Sequence, residues 1–600
     1  MSAPGSIIRL FVSSTFADFA VERDVLQRVV FPRIRQLCAE QGFRFQPIDL
    51  RWGVSREAGN EKRTLSICFE EIRRCQELSP DLNFLILLGD RYGSCFLPAS
   101  IPSTQVTRLL PHLEPASRSL FDSANPDVAY REDLNAVPAE YVLLPAPPGG
   151  RDEESLRLAL TRAAHAAGFS AEEALPFEAS ATHLEIQRGL LAAGADPAAV
   201  VCALRSFTST PAGSDASGYV EQDSARSAQV ESLKRAVEKR LEERLQRYVV
   251  PWGANGPVLD RVALAQQLRD LLEPRVREAL ARRQATAQAR DPVRETNAQF
   301  AAARTSVLVG RKDALATVAT YLSNQQPLPL VVTGASGVGK SSLLARAAED
   351  ATRTHSNAVV VTRYIGVTPG TGSLFDLLSS LRSEIAQRYG QTVSEPLSDL
   401  SQVVEAVATQ LGTLKVSAER PLLLFIDALD QLGAQRQRLD WLPRTLAPNV
   451  RVVLSILSDR PELAVLRAWM PQGQGLELDP LTRVQGAEAL RTWLLNEGRQ
   501  LTPNQEEAVL DGFAPAPQGR GTPLYLRLTF EQARTWRSFD VKSPPPPTVP
   551  ALIQAYFEEV EKPDRHGREL VAIALGDVAA AKHGLAEDEV LDLLPRNKAR

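Results

Sequence analysis

The feature that most constrains this chain is Gly334-Ala335-Ser336-Gly337-Val338-Gly339-Lys340-Ser341. It matches G-x-x-x-x-G-K-[ST] in full and follows the apolar run LPLVVT at 328–333. The loop residues Gly334, Ser336, Gly337, Val338 and Gly339 turn backbone N–H groups inward to cradle phosphate oxygens. The helix that begins near Lys340, Ser341 and Ser342 points its positive end at the same phosphates. Lys340 reaches the β and γ phosphates as a mobile point charge, and the Ser341 hydroxyl ligates Mg²⁺. ATP or ADP with Mg²⁺ is therefore the expected cofactor. A glycine-rich turn matching by chance is the alternative, and the strand before, the helix after and an acidic strand downstream argue against it.

That downstream strand is PLLLFI (421–426), which ends in Asp427-Ala428-Leu429-Asp430. A carboxylate at the C-terminal end of a buried strand is where Mg²⁺ needs its outer ligand, so Asp427 takes that role. Asp430 either orients the attacking water or is a solvated helix cap. Ala428 and Gln431 are uncharged, which implies slow hydrolysis. NVRVVLSIL (449–457) then leads into Ser458-Asp459-Arg460, where Arg460 either senses the γ-phosphate or lies on the surface.

The chain has 600 residues, a soft expectation of about four domains. Hydrophobic content of 44% and charged content of 23% exclude a mainly disordered, collagen-like or membrane-embedded chain. The net charge of −4 gives no sign of an obligatory nucleic-acid partner. The five cysteines are odd in number and include no CxxC pair, so neither a disulfide framework nor a zinc site follows. The start is no signal peptide, and no run of about 18 apolar residues is present. These features read as a cytoplasmic protein.

Strand and helix signals alternate from the start. IIRLFV (7–12), FRFQPIDL (43–50) and NFLILL (83–88) are strands, with helical periodicity over 18–40 and 64–78 between them. That order implies an α/β fold with a parallel sheet and helices on both faces. Regularity lapses over 98–150, read as an insertion or long loop, part of an insertion near 98–175, and helical signal returns at 153–167 and 182–191. AVVCAL (199–204) is a fourth strand, and 232–248 an amphipathic helix. Glu22-Arg23-Asp24 reads as a helix face of charge pairs. Cys68 and Cys75 read as core, and Arg51-Trp52-Gly53 as a structural turn or a base-stacking platform. The expected domains are 1–250, a helical connector at 251–305, the phosphate-loop domain at 306–470, and a helical arm at 471–540. A proline-rich spacer at 541–550 and a further helical domain at 551–600 follow.

Three features resemble the signal-transduction ATPases with numerous domains, the class that includes NACHT and apoptosome-type ATPases. They are Val309-Gly310-Arg311 before the phosphate loop, the strand end DALDQL (427–432), and Gly521-Thr522-Pro523 in GTPLYLRL. The resemblance implies that Val309, Gly310 and Arg311 open the adenine pocket. It also implies that Pro523 packs on the base, and that 551–600, with HGLAEDEVLDLL, begins a winged helix. His583 reads as a cap-region residue rather than the class's ADP-sensing histidine. RYIGVTPGTGSL (363–374), LFVSSTFADFAVERDVL, IDLRWGV, CFEEIRRC and LLGDRYGS resemble the telomerase-associated, nephrocystin and NACHT-WD-repeat proteins. In that group a flavodoxin-like, TIR-like domain of the DUF4062 type precedes the NTPase, and repeats, often WD40, follow it.

The resemblance implies an ATP/ADP signalling switch that forms a homo-oligomer on activation and clusters its N-terminal effector or adaptor domain. The trigger or protein partner would be received by repeats beyond Arg600. Many TIR domains cleave NAD with a Glu on the helix after the third strand. Here SATHLEI (180–186) offers Glu185, with spacing one residue shorter than usual; the alternative is a solvated helix Glu. An NAD-cleaving defence effector, with NAD as substrate, is thus a second expectation. A scaffold merely stabilised by nucleotide is a third.

Overall fold

The computed structural model describes residues 7–594 apart from 51–60, 148–149, 209–215, 254–255, 288–291, 306–307, 325, 368–372, 392–396, 433–437, 470–474, 515–518, 564, 582–584, 586–588 and 591–592. Arg51-Trp52-Gly53, His583 and part of RYIGVTPGTGSL lie outside the described residues. The chain divides into two units. The first holds Met1–Asp133, Pro138–Ala289 and Leu585–Arg600; the second holds Leu134–Val137 and Arg290–Gly584. Among the described residues no helix is long and apolar enough to cross a membrane.

The first unit contains strands β1 (Ile7–Ser14), β2 (Arg44–Ile48), β3 (Phe84–Leu88), β4 (Ser100–Pro102), β5 (Tyr130–Asp133), β6 (Glu140–Leu143), β7 (Val200–Phe207) and β8 (Leu245–Val250). The main sheet has the order β2-β1-β3-β7-β8 with every neighbour parallel, the flavodoxin-like arrangement. Its strands are near-continuous apolar runs because helices cover both faces. On one face pack the helices within Ala20–Ala39 and Arg261–Ala287, and on the other Glu61–Leu78 and Ser224–Leu241. Cys68 and Cys75 are buried in the second of these cores.

Four expectations change here. The amphipathic helix expected over 232–248 spans Ser224–Leu241, and Leu245–Val250 is strand β8. Residues 98–150 are not a long loop: β4-β6-β5 form an antiparallel sheet that, with helix Ser103–Leu109, the expected helix Glu153–Ala166 and helix Ala171–Glu178, closes a core of its own around Leu109, Tyr130, Leu160 and Phe177. The 251–305 stretch is not a connector. Leu264, Leu268, Leu272, Val276 and Leu280 recur every four residues, and that stripe is buried against the first sheet. Only helix Pro292–Thr305 belongs to the second unit. Glu22 and Arg23 are buried rather than solvated. Arg205, fully buried at the end of β7, donates to Glu22 Oε1 (2.9 Å) and Asp18 Oδ2 (2.7 Å), and Tyr248 donates to the same Glu22 oxygen (2.9 Å). Buried charges persist only when paired in this way.

The second unit contains β9 (Leu330–Gly334), β10 (Val359–Tyr364), β11 (Leu422–Asp427), β12 (Val450–Leu457) and β13 (Gly475–Glu477), in the order β10-β11-β12-β9-β13 and all parallel. β12 therefore separates the phosphate-loop strand from the strand that ends in Asp427. After this sheet the helices Arg483–Asn496, Pro503–Phe513 and Pro523–Ala533 build a separate core around Leu490, Val509, Leu526 and Phe530. Helix Val549–Val560 starts inside the expected proline-rich spacer, with Pro550 in its first turn, and places Leu552 in that same core.

Candidate functional site

β9 delivers Gly334 to the C-terminal edge of the sheet, and helix Lys340–Thr354 leaves from Gly339. Gly337 has φ +75°, and a Cβ there would lie 2.7 Å from Leu524 Cβ. Only glycine allows both that backbone and that approach. Lys340 is buried, and its Nζ donates to the carbonyls of Gly334 (2.8 Å) and Ala335 (3.0 Å). Desolvation lowers its pKa, against the opposing pull of Asp430, Asp427 and Asp459. Ser336 is exposed on the loop, Val338 points into the core, and Ser342 is half-buried on the helix.

Asp427 is buried at the end of β11. Desolvation raises its pKa, and hydrogen bonds with Ser341 and Ser455 and the charges of Lys340 and Arg304 oppose that rise. The Ser455 hydroxyl donates to Asp427 Oδ1 and accepts from the Ala428 N–H (2.8 Å). Ala428 has φ +61°, a left-handed conformation costly for alanine. Asp430 accepts from the Leu457 N–H (3.3 Å), which ties its turn to β12. Arg460 is half-buried just after β12; it lies 3.9 Å from the Asp459 carboxylate, and among the described residues its Nε has no hydrogen-bond partner.

Arg311 donates to the carbonyls of Val338 (2.7 Å) and Asp479 (2.8 Å), so its guanidinium props the phosphate loop. Gly310 (φ +70°) packs against Gln485, and Val309 packs on the arm core. Thr522 caps helix Pro523–Ala533; the Leu524 N–H donates to the Gly337 carbonyl (3.2 Å), and Pro523 Cγ lies 3.7 Å from where a Gly339 Cβ would be. The loop, the Val309–Arg311 turn, Asp427, Asp430 and the Gly521–Pro523 turn are thus assembled within one unit.

The loop cradle and the hard-oxygen pair Ser341 and Asp427 fit a Mg²⁺-nucleotide. Among the described residues no group of three or more His, Cys, Asp or Glu side chains is placed to hold a metal. A Mg²⁺ bound through Ser341 and Asp427 would complete its shell with phosphate oxygens and water. Two participants escaped sequence reasoning: Ser455, signalled by a lone hydroxyl in the apolar run VRVVLSIL, and Leu524, which carries no local signal.

Glu185 lies in the first unit. It is buried at the edge of the sheet, not solvated, and accepts from the Ser13 hydroxyl at the end of β1 (2.5 Å). Nearby, the Tyr92 hydroxyl and His183 Nδ1 are 2.8 Å apart, and burial pushes His183 down to about 4.

Residues 307–456 match the AAA ATPase domain, and residues 9–108 match a domain of unknown function, DUF4062. The Mus musculus NACHT domain- and WD repeat-containing protein 1 is 28% identical over 96% of this chain and 38% of its own length. The Homo sapiens NACHT and WD repeat domain-containing protein 2 is 25% identical over 98% of this chain and 37% of its own length. The Rattus norvegicus telomerase protein component 1 is 24% identical over 97% of this chain and 20% of its own length. The chain thus spans well under half the length of these relatives. Among solved structures, the Aeropyrum pernix ORC1 protein in complex with DNA overlaps at a TM-score of 0.29 and 17% identity, covering 48% of this chain and 77% of that one. Over nearly its whole length this chain is similar to the NACHT and WD repeat-containing proteins and to telomerase protein component 1, and it carries a match to the AAA ATPase domain after a match to DUF4062.

Proposed function

We propose that the chain is an ATP/ADP switch that changes its assembly state with the bound nucleotide and clusters its N-terminal domain as effector or adaptor. The observation that carries this is the hydrogen bond from Leu524 to Gly337: a phosphate loop that reshapes around nucleotide pulls directly on the arm. Moving a switch from 1:99 to 99:1 needs about 5.5 kcal/mol of differential binding. Charge-assisted hydrogen bonds contribute about 1.5–3 kcal/mol each, so two or three contacts to a γ-phosphate suffice. Lys340, Arg460 and a Mg²⁺ held by Ser341 and Asp427 would make them. Asp430 would orient the attacking water, and Val309, Gly310 and Pro523 would line the adenine. Turnover is slow, because Ala428 stands where an acidic neighbour would activate water. WD repeats of the kind named in the relatives would receive the trigger. Light scattering of the full-length protein with its trigger tests the reading. A rise in mass with a non-hydrolysable ATP analogue, absent with ADP, is expected. A monomer in every nucleotide state would leave nucleotide as a mere stabiliser of a scaffold.

A second reading rests on Glu185. Its carboxylate meets Ser13 at the C-terminal end of β1, and β1 and β3 flank the switch point where open parallel sheets bind ligands. In this reading the N-terminal domain cleaves NAD when clustered, with Glu185 steadying positive charge on the ribose. NAD loss in cells expressing full-length protein, unaltered against Glu185→Gln, tests it: equal loss removes Glu185 as the catalyst, and no loss with either under a proven trigger leaves an adaptor.

A further inference from the structure

Helix Pro292–Thr305 precedes the matched ATPase domain, yet one of its faces is fastened to the catalytic edge of the second sheet. Asn297, Phe300 and Arg304 recur at i, i+3 and i+7 on that face. Asn297 is buried, and its Oδ1 accepts from the Tyr364 N–H at the end of β10 (2.8 Å). The Phe300 ring lies 4.7 Å from the Tyr364 ring. Tyr364 is the register partner of Asp427, and the Ile365 N–H donates to the Asp427 carbonyl (3.2 Å). Two successive contacts therefore locate this helix against the strand end that carries the metal-binding carboxylate.

The third residue of the face is a cation. The Arg304 guanidinium sits over the Phe300 ring, 3.4 Å from its centroid, while the side chain stays solvent-exposed. Among the described residues neither a hydrogen bond nor an ion pair engages it. The groups its charge acts on are Asp427 and Tyr364. An arginine fixed on an aromatic platform with its donors unspent is built to receive an anion. A Mg²⁺-nucleotide brings net negative charge to a site that already holds Asp427 and Asp430, and Lys340 and Arg460 supply only two cations against it.

We propose that Arg304 is a third phosphate-binding cation, contributed by a helix outside the ATPase domain, that contacts the terminal phosphate and makes the site prefer a nucleoside triphosphate to a diphosphate. This rests on the nucleotide reading above. Phe300 fixes the guanidinium plane, and Asn297 fixes the helix to β10. A diphosphate ends short of this cation, so it gains nothing from Arg304.

Calorimetric titration of the 600-residue chain with Mg²⁺ and either ADP or a non-hydrolysable ATP analogue tests the assignment. Three proteins are compared: unaltered, Arg304→Ala and Phe300→Leu. One charge-assisted contact corresponds to about a tenfold change or more. Arg304→Ala is expected to weaken the ATP analogue about tenfold and leave ADP within about twofold. Phe300→Leu, which keeps the charge but loosens its platform, is expected to give a smaller loss in the same direction. Circular dichroism of Arg304→Ala without nucleotide checks that the variant keeps the fold before it is titrated. Equal affinities of Arg304→Ala and the unaltered chain for the ATP analogue overturn the assignment, and so does an equal loss for both nucleotides. If the unaltered chain binds neither nucleotide, the nucleotide reading itself fails.

Discussion

The backbone N–H of Leu524, in the first turn of helix Pro523–Ala533, donates to the carbonyl of Gly337 in the phosphate loop at 3.2 Å. The two are 187 residues apart in the sequence, and their contact joins the phosphate loop to the start of the arm. The Leu524 side chain leaves no room for a Cβ at 337.

Gly337→Ala places a methyl 2.7 Å from Leu524 Cβ on a backbone with φ +75°. The expected cost is about 1–3 kcal/mol, from steric strain and the left-handed backbone together. Denaturant unfolding measures it. Adding Leu524→Gly should recover part of the loss, because it removes the clash but not the backbone strain. No recovery would place the whole cost in the backbone and deny the contact.

Lys340→Ala should abolish most binding of ATP and ADP. The amine is held inside the loop by two carbonyls it would exchange for phosphate oxygens. Calorimetry reads the affinities, and equal values for the variant and the unaltered chain would contradict the loop's role.

Asp427 carries a pH dependence of defined sign. Burial raises its pKa above the ordinary 3.8. The folded chain therefore keeps a proton that the unfolded chain has released, and nucleotide-free stability falls as pH climbs from the ordinary value through the raised one. Above that window the penalty is fully present. Asp427→Asn removes it, so the nucleotide-free Tm at neutral pH should rise. Mg²⁺-dependent nucleotide binding should weaken by about tenfold or more. A Tm that does not rise would mean the burial penalty is already offset by Ser341 and Ser455.

Ala428 should limit turnover. Steady-state hydrolysis is expected well below the tens per second reached by fast phosphoryl-transfer enzymes, whose range is about 1–100 per second. Ala428→Gly should stabilise the fold by about 0.5–1 kcal/mol, since φ +61° suits glycine and not alanine. Ala428→Glu should raise the hydrolysis rate without that gain. An unaltered chain turning over at tens per second would contradict the assignment of this position.

What could be seen in the sequence follows from how local each feature is. The phosphate loop and the strand ending in Asp427 are contiguous, so apolar runs and glycine spacing expose them. The parallel sheets were legible because strands buried on both faces are unbroken apolar runs, as in FLILL of β3. The remainder depends on residues far apart in the chain. Ser455 becomes meaningful only when β12 lies beside β11. Glu22 looks like a solvated helix charge until Arg205, on β7, is brought beneath it. The period-four stripe of Arg261–Ala287 is plain in the sequence, but not the sheet face that it covers. Residues 98–150 hide a small antiparallel sheet because its strands are only three or four residues long. Arg311 was expected in the adenine pocket, yet its guanidinium is occupied by two backbone carbonyls, which no spacing rule reveals.

The central claim is that the arm senses what the phosphate loop holds, and hydrogen exchange at the start of helix Pro523–Ala533 tests it most directly. The 600-residue chain is compared with Mg²⁺-ADP and with a Mg²⁺-bound non-hydrolysable ATP analogue, following the peptide that contains Leu524. A difference in protection between the two nucleotides, lost in Lys340→Ala, is expected. Identical exchange in the two states, with both nucleotides shown to be bound, would contradict the coupling of loop to arm.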